Sequence, residues 1–439
     1  MKRKLGILIS SMSIVALAAC GSSDGTGGDE KTIVTFWHSM GGPAQVALDQ
    51  IVSSYNESQD EVQVNAEFQG PYEESLPKFH SVGGTEDAPT IIQVQEIGSM
   101  SMINSGNIEP IQRFIDEEEY DMSGLEENIT NYYNIDGQFY SMPFNSSTPV
   151  MYYNKDAFEA AGLDPEAPPQ TYEEIEAAGQ TIAEANDGMR GFALQAYGWL
   201  FEELLANQGG HLLNNDNGRS DLATEVAFDD EKGRSIFKWV ERMIEDETFM
   251  NYGTNSDNMV AGFLSGEVAM FMQSSAQSRD VIDNAPFEVG VGFIPYPEQE
   301  EREGVVIGGA SLWMSAGKEE AEQEAAWDFM KYMATPDIQA EWHVGTGYFA
   351  INPAAYDEQV AQDAYVEMPQ LQVAVQQLQA TTPTVATQGA LMDMIPEERK
   401  IIETALESVY NGENADAAFD EAVKQVNAAI EQANKARGN

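Results

Sequence analysis

The chain has 439 residues, with 73 Asp and Glu against 22 Lys and Arg, a formal charge of −51 at pH 7. A field of that sign repels a phosphate backbone, and the longest basic cluster is Lys2-Arg3-Lys4, so nucleic acid is excluded as a partner. At 42% hydrophobic and 10% aromatic the chain is too apolar to be an acidic disordered segment, and its length exceeds what one core normally serves, so two domains are expected.

Lys2-Arg3-Lys4 precedes an apolar run from Leu5 to Ala18, the charged and apolar regions of an export signal, too short to span a bilayer stably. The run ends Leu17-Ala18-Ala19-Cys20, which resembles the lipobox of bacterial lipoproteins and implies lipidation at Cys20. Two acyl chains hold a protein where one exchanges. Gly21 to Glu30 then reads as a polar leash. The expected location is exported, lipid-anchored on the outer face of the cell membrane or periplasmic, with no other membrane contact.

Cys20 is the one cysteine, so an internal disulfide is excluded; His38, His80, His211 and His343 fall in no zinc-binding spacing. No metal and no cofactor are expected.

In chain order, Val34 to His38 reads as a strand, and Pro43 opens a helix with Leu48, Ile51, Val52 and Tyr55 on one face. Val62, Val64, Ala66 and Phe68 alternate with polar residues, a strand pattern. Thr90 to Val94 reads as a buried strand delivering Glu96 into a turn that faces a cleft, followed by a short helix from Ser99 to Asn104. Thr171 with Glu174 is a capping box before Ile175, Ala178 and Ile182. Ile236, Trp239, Val240, Met243 and Ile244 mark another amphipathic helix. Strands are expected over 268–272, 287–293 and 311–315, and helices over 319–334 and 396–410. Alternating elements point to an α/β fold.

FWHSMGG (36–42), GPYEESL (70–76), APTIIQVQEIG (88–98), the segment from Pro143 through YYNKDAF to Pro169, IGGASLW (307–313) and EWHVGTGYFAI (341–351) together resemble family 1 extracellular solute-binding proteins of ABC importers. FNSSTP, GGASLW and the EWH…TGY pattern are similar to the glycerol-phosphate-binding branch. The resemblance implies a two-lobed periplasmic-binding-protein fold with a hinge and an interlobe ligand cleft. It assigns 1–19 to a signal peptide, 20–32 to the anchor and linker, 33–145 plus 305–352 to lobe 1, and 146–304 plus 353–439 to lobe 2. It further implies a monomer that captures a small solute, a phosphorylated glycerol derivative or a sugar, and delivers it to the transmembrane subunits of an ABC permease.

Carried over motif by motif, the resemblance names Tyr72, Glu96, Ser147, Ser274, Gly309 and Tyr348 as ligand-binding, with Trp199 packing on the glycerol carbons. A carboxylate can accept from two hydroxyls, while Ser and Tyr hydroxyls and a backbone N–H can donate to phosphate oxygens. Taken singly, Gly308-Gly309 also fits an ordinary turn, and Tyr72 and Tyr348 fit rim or core aromatics. Two departures stand out. Ala196 replaces a second family tryptophan, and the family's phosphate-contacting Arg falls on Leu391 in the segment Gly389 to Glu397, with Arg399 and Lys400 just downstream. Both point to a glycerophosphodiester, such as glycerophosphocholine, or another larger polyol in preference to glycerol-3-phosphate, with Arg399 or Lys400 as alternatives to the arginine missing at Leu391.

Neither a GxSxG elbow, an HExxH pair nor a Walker loop occurs, so an enzyme is not expected. A sugar or oligosaccharide binder of the same family would share YYNKDAF without FNSSTP or IGGASLW. The acid excess on an exported protein predicts adaptation to a saline or alkaline exterior.

Overall fold

The computed structural model describes residues 31–438 apart from residue 187, so the expectations for the signal peptide and Cys20 fall outside the described residues. The strands are β1 (Thr32–His38), β2 (Val62–Phe68), β3 (Ile91–Gln95), β4 (Ile108–Glu109), β5 (Asn134–Ile135), β6 (Gln138–Phe139), β7 (Ser141–Ser147), β8 (Pro149–Asn154), β9 (Arg190–Ala193), β10 (Val268–Ser274), β11 (Val289–Gly292) and β12 (Gly308–Ser315). They form two principal sheets. The first runs β2-β1-β3-β12-β4 with β7 also paired to β12, and the second runs β11-β8-β10-β9; β5 and β6 make a small hairpin.

β1, β2 and β3 are parallel, while β12 returns antiparallel to β3 from far along the chain. The chain leaves the first sheet at Ser147 and enters the second at Pro149, with only Thr148 between them. Every residue of β7 and β8 is buried, because helices and neighbouring strands cover both faces. That burial hides the period-2 pattern, which is why neither strand is evident from alternation.

The helix Gly42–Ser58 starts with proline in its first turn and buries Leu48, Ile51, Val52 and Tyr55, as its spacing predicts. The helix Tyr72–Val82 covers a small separate core of Phe79, Ile92, Val94, Met102 and Trp313. In the second unit, Thr171 Oγ1 accepts from Glu174 N at 3.1 Å and Glu174 Oε2 accepts from Thr171 N at 3.2 Å, the reciprocal cap read from sequence. Tyr172 stacks on Trp239 with centroids 4.2 Å apart at 7°, a contact that adds about 0.5–1.5 kcal/mol beyond its area.

Two expectations change. Phe68 does not point into the core but is 50% exposed, because β2 is the edge strand of its sheet. The helix Ala415–Ala436, not evident from the sequence, packs Phe419 against Phe237 at 5.4 Å. Three of its seven buried residues are alanine, Ala415, Ala418 and Ala422, which mutes the periodic signal.

Candidate ligand-binding site

β3 ends at Gln95, opposite Ala310 of β12; β7 ends alongside, with Ser146 opposite Gly309 and Ser147 opposite Gly308. From the second sheet β10 ends at Ser274, opposite Pro149. The carboxyl ends of three strands therefore converge where the two sheets meet, the usual position of a ligand in open α/β folds.

Ser274 Oγ donates to Ser147 Oγ at 2.9 Å, joining the two sheets at hydroxyls that belong to separate sequence motifs. Asn145 Nδ2 donates to Tyr72 Oη at 2.9 Å, and Asn145 Oδ1 accepts from Gln93 Nε2 at 2.6 Å. Tyr348 joins this group: Phe349 N donates to Ser146 O at 2.8 Å, and the Tyr348 ring stacks on Trp342 at 5.6 Å. Burial pushes the Tyr72 and Tyr348 hydroxyls above the usual phenol range, and each lies within reach of the other and of Asn145. Both stay neutral donors at physiological pH.

Gly309 holds φ +100, and a Cβ there would sit 1.9 Å from Asn145 O, so the β7–β12 approach requires glycine. At Gly308 a Cβ would lie 2.7 Å from Trp199 Cζ2, so the indole packs directly on the β12 backbone. Trp199 is buried at the start of the helix Gly198–Asn207.

Glu96 follows β3 and is 2% exposed; its Oε1 accepts from Arg399 Nη2 at 2.9 Å. Arg399 lies on the helix Ile395–Tyr410 and reaches back to Glu202 as well, Nε to Oε1 at 2.5 Å and Nη2 to Oε2 at 3.0 Å. Among the described residues, Glu96 Oε2, Arg399 Nη1 and Trp199 Nε1 are buried without a hydrogen-bond partner. A buried guanidinium held by two carboxylates stays charged, well above its ordinary range. Glu96 is instead pushed up, because its burial outweighs a cation that it shares with Glu202. Tyr197 lies over the Arg399 guanidinium at 5.9 Å, and Tyr132 Oη donates to Glu96 O at 3.1 Å. Behind Tyr132, Arg219 crosses between the units: Nε donates to Gly389 O at 2.6 Å and Nη1 to Tyr132 O at 3.3 Å.

All seven residues named from the motifs thus lie around one junction. Of the two downstream alternatives to Leu391, the structure brings Arg399 to the junction. Leu391 is a buried apolar residue whose N–H donates to Asn217 O at 2.9 Å, and Lys400 is exposed and pairs with Glu403. The guanidinium facing Glu96 is that of Arg399, on the helix that follows the unpatterned loop. Ala196 is fully buried, its N–H donating to Gly253 O at 2.8 Å. Asn145, Tyr197 and Glu202 carried no motif signal of their own, although Asn145 lies within FNSST and Glu202 within the Trp199 segment.

A cavity of about 270 Å³ opens beside the site between Tyr72, Leu76, Gln95, Ile97 and Pro396. A larger surface concavity, about 610 Å³ between Tyr55, Tyr120 and Tyr332, shares no residue with it. Among the described residues no cluster of His, Cys, Asp and Glu could hold a metal, and no helix is long and apolar enough to cross a membrane.

Two α/β units with polar side chains converging at their junction define a two-lobed binding protein. Residues 50–373 match the bacterial extracellular solute-binding protein family, and the chain belongs to it. It is 33% identical over 415 residues to the sn-glycerol-3-phosphate-binding periplasmic protein UgpB of Yersinia pseudotuberculosis, covering 92% of this chain and 94% of that one. It is 33% identical over 405 residues to UgpB of Escherichia coli, covering 90% and 92%. Among solved structures it is similar to the cyclic α-maltosyl-1,6-maltose binding protein of Arthrobacter globiformis (TM-score 0.76, 25% identity, 92% of this chain and 100% of that one). It is also similar to UgpB of Mycobacterium tuberculosis in complex with glycerophosphocholine (TM-score 0.77, 20% identity, 93% and 100%).

Proposed function

We propose that this protein captures glycerol-3-phosphate or a glycerophosphodiester such as glycerophosphocholine outside the cell and delivers it to an ABC permease. The carrying observation is the pair Arg399 Nη1 and Glu96 Oε2, a buried free donor beside a buried free acceptor. A phosphate oxygen next to a glycerol hydroxyl satisfies both. Tyr72, Ser147, Ser274, Tyr348 and the Gly309 N–H supply the remaining polar contacts, and Trp199 the apolar face for the carbons. Identity to the glycerol-phosphate-binding relatives over nine-tenths of the chain supports the same reading.

The two lobes close on the ligand as 33–145 plus 305–352 against 146–304 plus 353–439, a hinge motion that presents a closed surface to the permease. The protein acts as a monomer, binds without turnover, and is held to the membrane by lipid on Cys20, a reading that rests on the sequence around that residue. Sugar-binding neighbours of similar fold favour a second reading, an oligosaccharide ligand. Calorimetry with glycerol-3-phosphate, glycerophosphocholine and maltose separates them: a phosphoglycerol binds and maltose is silent if the first reading holds, and the reverse overturns it.

A further inference from the structure

Glu202 sits at the centre of the charge balance in this site, although no sequence motif points to it. Gly198 opens its helix directly against the Arg399 backbone, where a Cβ would lie 2.4 Å from Arg399 Cα. This close approach brings Glu202, one turn along, into a two-point fork with Arg399, Nε to Oε1 at 2.5 Å and Nη2 to Oε2 at 3.0 Å. Nη2 is shared with Glu96 Oε1 at 2.9 Å, which leaves Nη1 alone unpaired.

Two carboxylates therefore face one guanidinium before any ligand enters. Apart from Arg219, the other ionisable groups around Arg399 are tyrosines and carboxyls and add no positive charge. Tyr132 comes from the first unit, Tyr197 and Glu203 from the Trp199 helix and its entry, and Glu398 from the helix of Arg399 itself. Arg219 keeps its charge, but its donors are held by the backbone carbonyls of Tyr132, Gln388 and Gly389, behind Tyr132, and it makes no contact with Glu96 or Glu202. A dianion placed against Nη1 meets this surplus of negative charge twice over, and a monoanion once.

We propose that Glu202 is a specificity-determining residue: by occupying the Nε and Nη2 edge of Arg399 it makes the site favour a singly charged phosphodiester over a doubly charged phosphomonoester. This rests on the phosphoglycerol reading of the site. Glu202 works through Arg399, fixing its direction and cancelling its charge.

The ligand's own titration supplies the test. A phosphomonoester loses its second charge below a pKa of about 6, whereas a phosphodiester keeps one charge throughout. In the wild-type protein, affinity for sn-glycerol-3-phosphate measured by calorimetry should rise about tenfold from about pH 7.5 to about pH 5.5, while affinity for glycerophosphocholine stays flat. Glu202→Gln should bind the monoester about tenfold more tightly at about pH 7.5 and lose most of that pH dependence, and Glu202→Asp should behave as wild type. A wild-type preference for the monoester at about pH 7.5, a pH response shared by both ligands, or a Glu202→Gln variant that weakens both equally overturns the proposal. Failure of both esters to bind, with maltose bound instead, overturns the phosphoglycerol reading and this inference with it.

Discussion

Arg399 Nη2 and Glu96 Oε1 meet at 2.9 Å across the junction of the two sheets, with side chains 6% and 2% exposed. Glu96 is positioned by β3 of the first sheet, and Arg399 by a helix that packs against the Trp199 helix of the second unit. The pair therefore joins the first sheet to the second unit.

Replacing Arg399 with Met leaves the buried Glu96 and the partly buried Glu202 without their cation, and breaking a buried pair from one side costs about 3–5 kcal/mol. Urea denaturation should show a loss of that size, and calorimetry should show no phosphoglycerol binding. Adding Glu96→Gln and Glu202→Gln should recover part of the stability and none of the binding. A single variant as stable as wild type would refute the buried ion pair.

The residues with a backbone or motif reason to be where they are were legible in the sequence. Ser147 and Ser274, far apart in the chain, are in hydrogen-bond contact, and Gly309 holds the backbone angle that demands glycine. The loop 389–394 carries neither helix nor strand periodicity, so position along it cannot be fixed by pattern, and the sequence leaves Leu391, Arg399 and Lys400 unresolved as the facing residue. Glu202 and Tyr197 were invisible for another reason: in a chain with 73 acids and 17 tyrosines, one more of either is not a signal. Only the packing of Gly198 on Arg399 singles Glu202 out.

Gly309→Ala should disrupt the site without altering any of the polar side chains that converge there. The added methyl meets Asn145 O at 1.9 Å at φ +100, and both the backbone angle and the carbonyl must give way. A destabilisation of about 2–3 kcal/mol in urea and a loss of ligand affinity of at least about tenfold are expected. Unchanged affinity would mean that the β7–β12 approach is not part of the site.

His343 links the Tyr348 loop to acid stability. Its Nδ1 lies 2.6 Å from Tyr348 O and its Nε2 2.9 Å from Tyr365 Oη, which a neutral ring satisfies by donating from the first nitrogen and accepting at the second. Burial lowers it from 6.5 to about 4. Between those values the unfolded chain holds a proton that the folded chain does not, so this group's contribution is lost as pH falls from 6.5 to about 4. The loss is on the order of 3 kcal/mol, and in His343→Gln the stability difference from wild type should change by that amount across the window. Parallel pH profiles would contradict it.

The acid excess makes salt the next variable. With 73 acidic and 22 basic residues, most surface carboxylates have no cation to meet, and added salt shortens the range of their repulsion to about 3 Å at 1 M. The melting temperature should rise between about 0.05 and about 2 M NaCl. Ion pairs such as Arg234–Asp416 are surface pairs and should weaken over that range, so a flat or falling melting temperature would assign the stability to them instead.

Glu203 reverses the pH argument made for His343. It is fully buried, its Oε2 accepts from Val306 N at 3.0 Å, and its Oε1 has no partner among the described residues. Burial holds its carboxyl well above the usual 4.5, so the folded chain keeps a proton that the unfolded chain releases. That contribution is whole below 4.5 and is lost as pH rises through the folded value. Glu203→Gln keeps the acceptor for Val306 N and removes the titration. The variant should match wild type in thermal stability at acid pH and exceed it increasingly toward alkaline pH, and a constant difference across the range would show that Glu203 is already ionised in the fold. An exported protein facing an alkaline medium would gain from that substitution unless the protonated carboxyl, beside Glu202 and Arg399, serves the binding site itself. Measuring phosphoglycerol affinity of Glu203→Gln alongside its melting curve separates the two: unchanged affinity makes the residue a structural acid, and weakened affinity makes it part of the charge balance around Arg399.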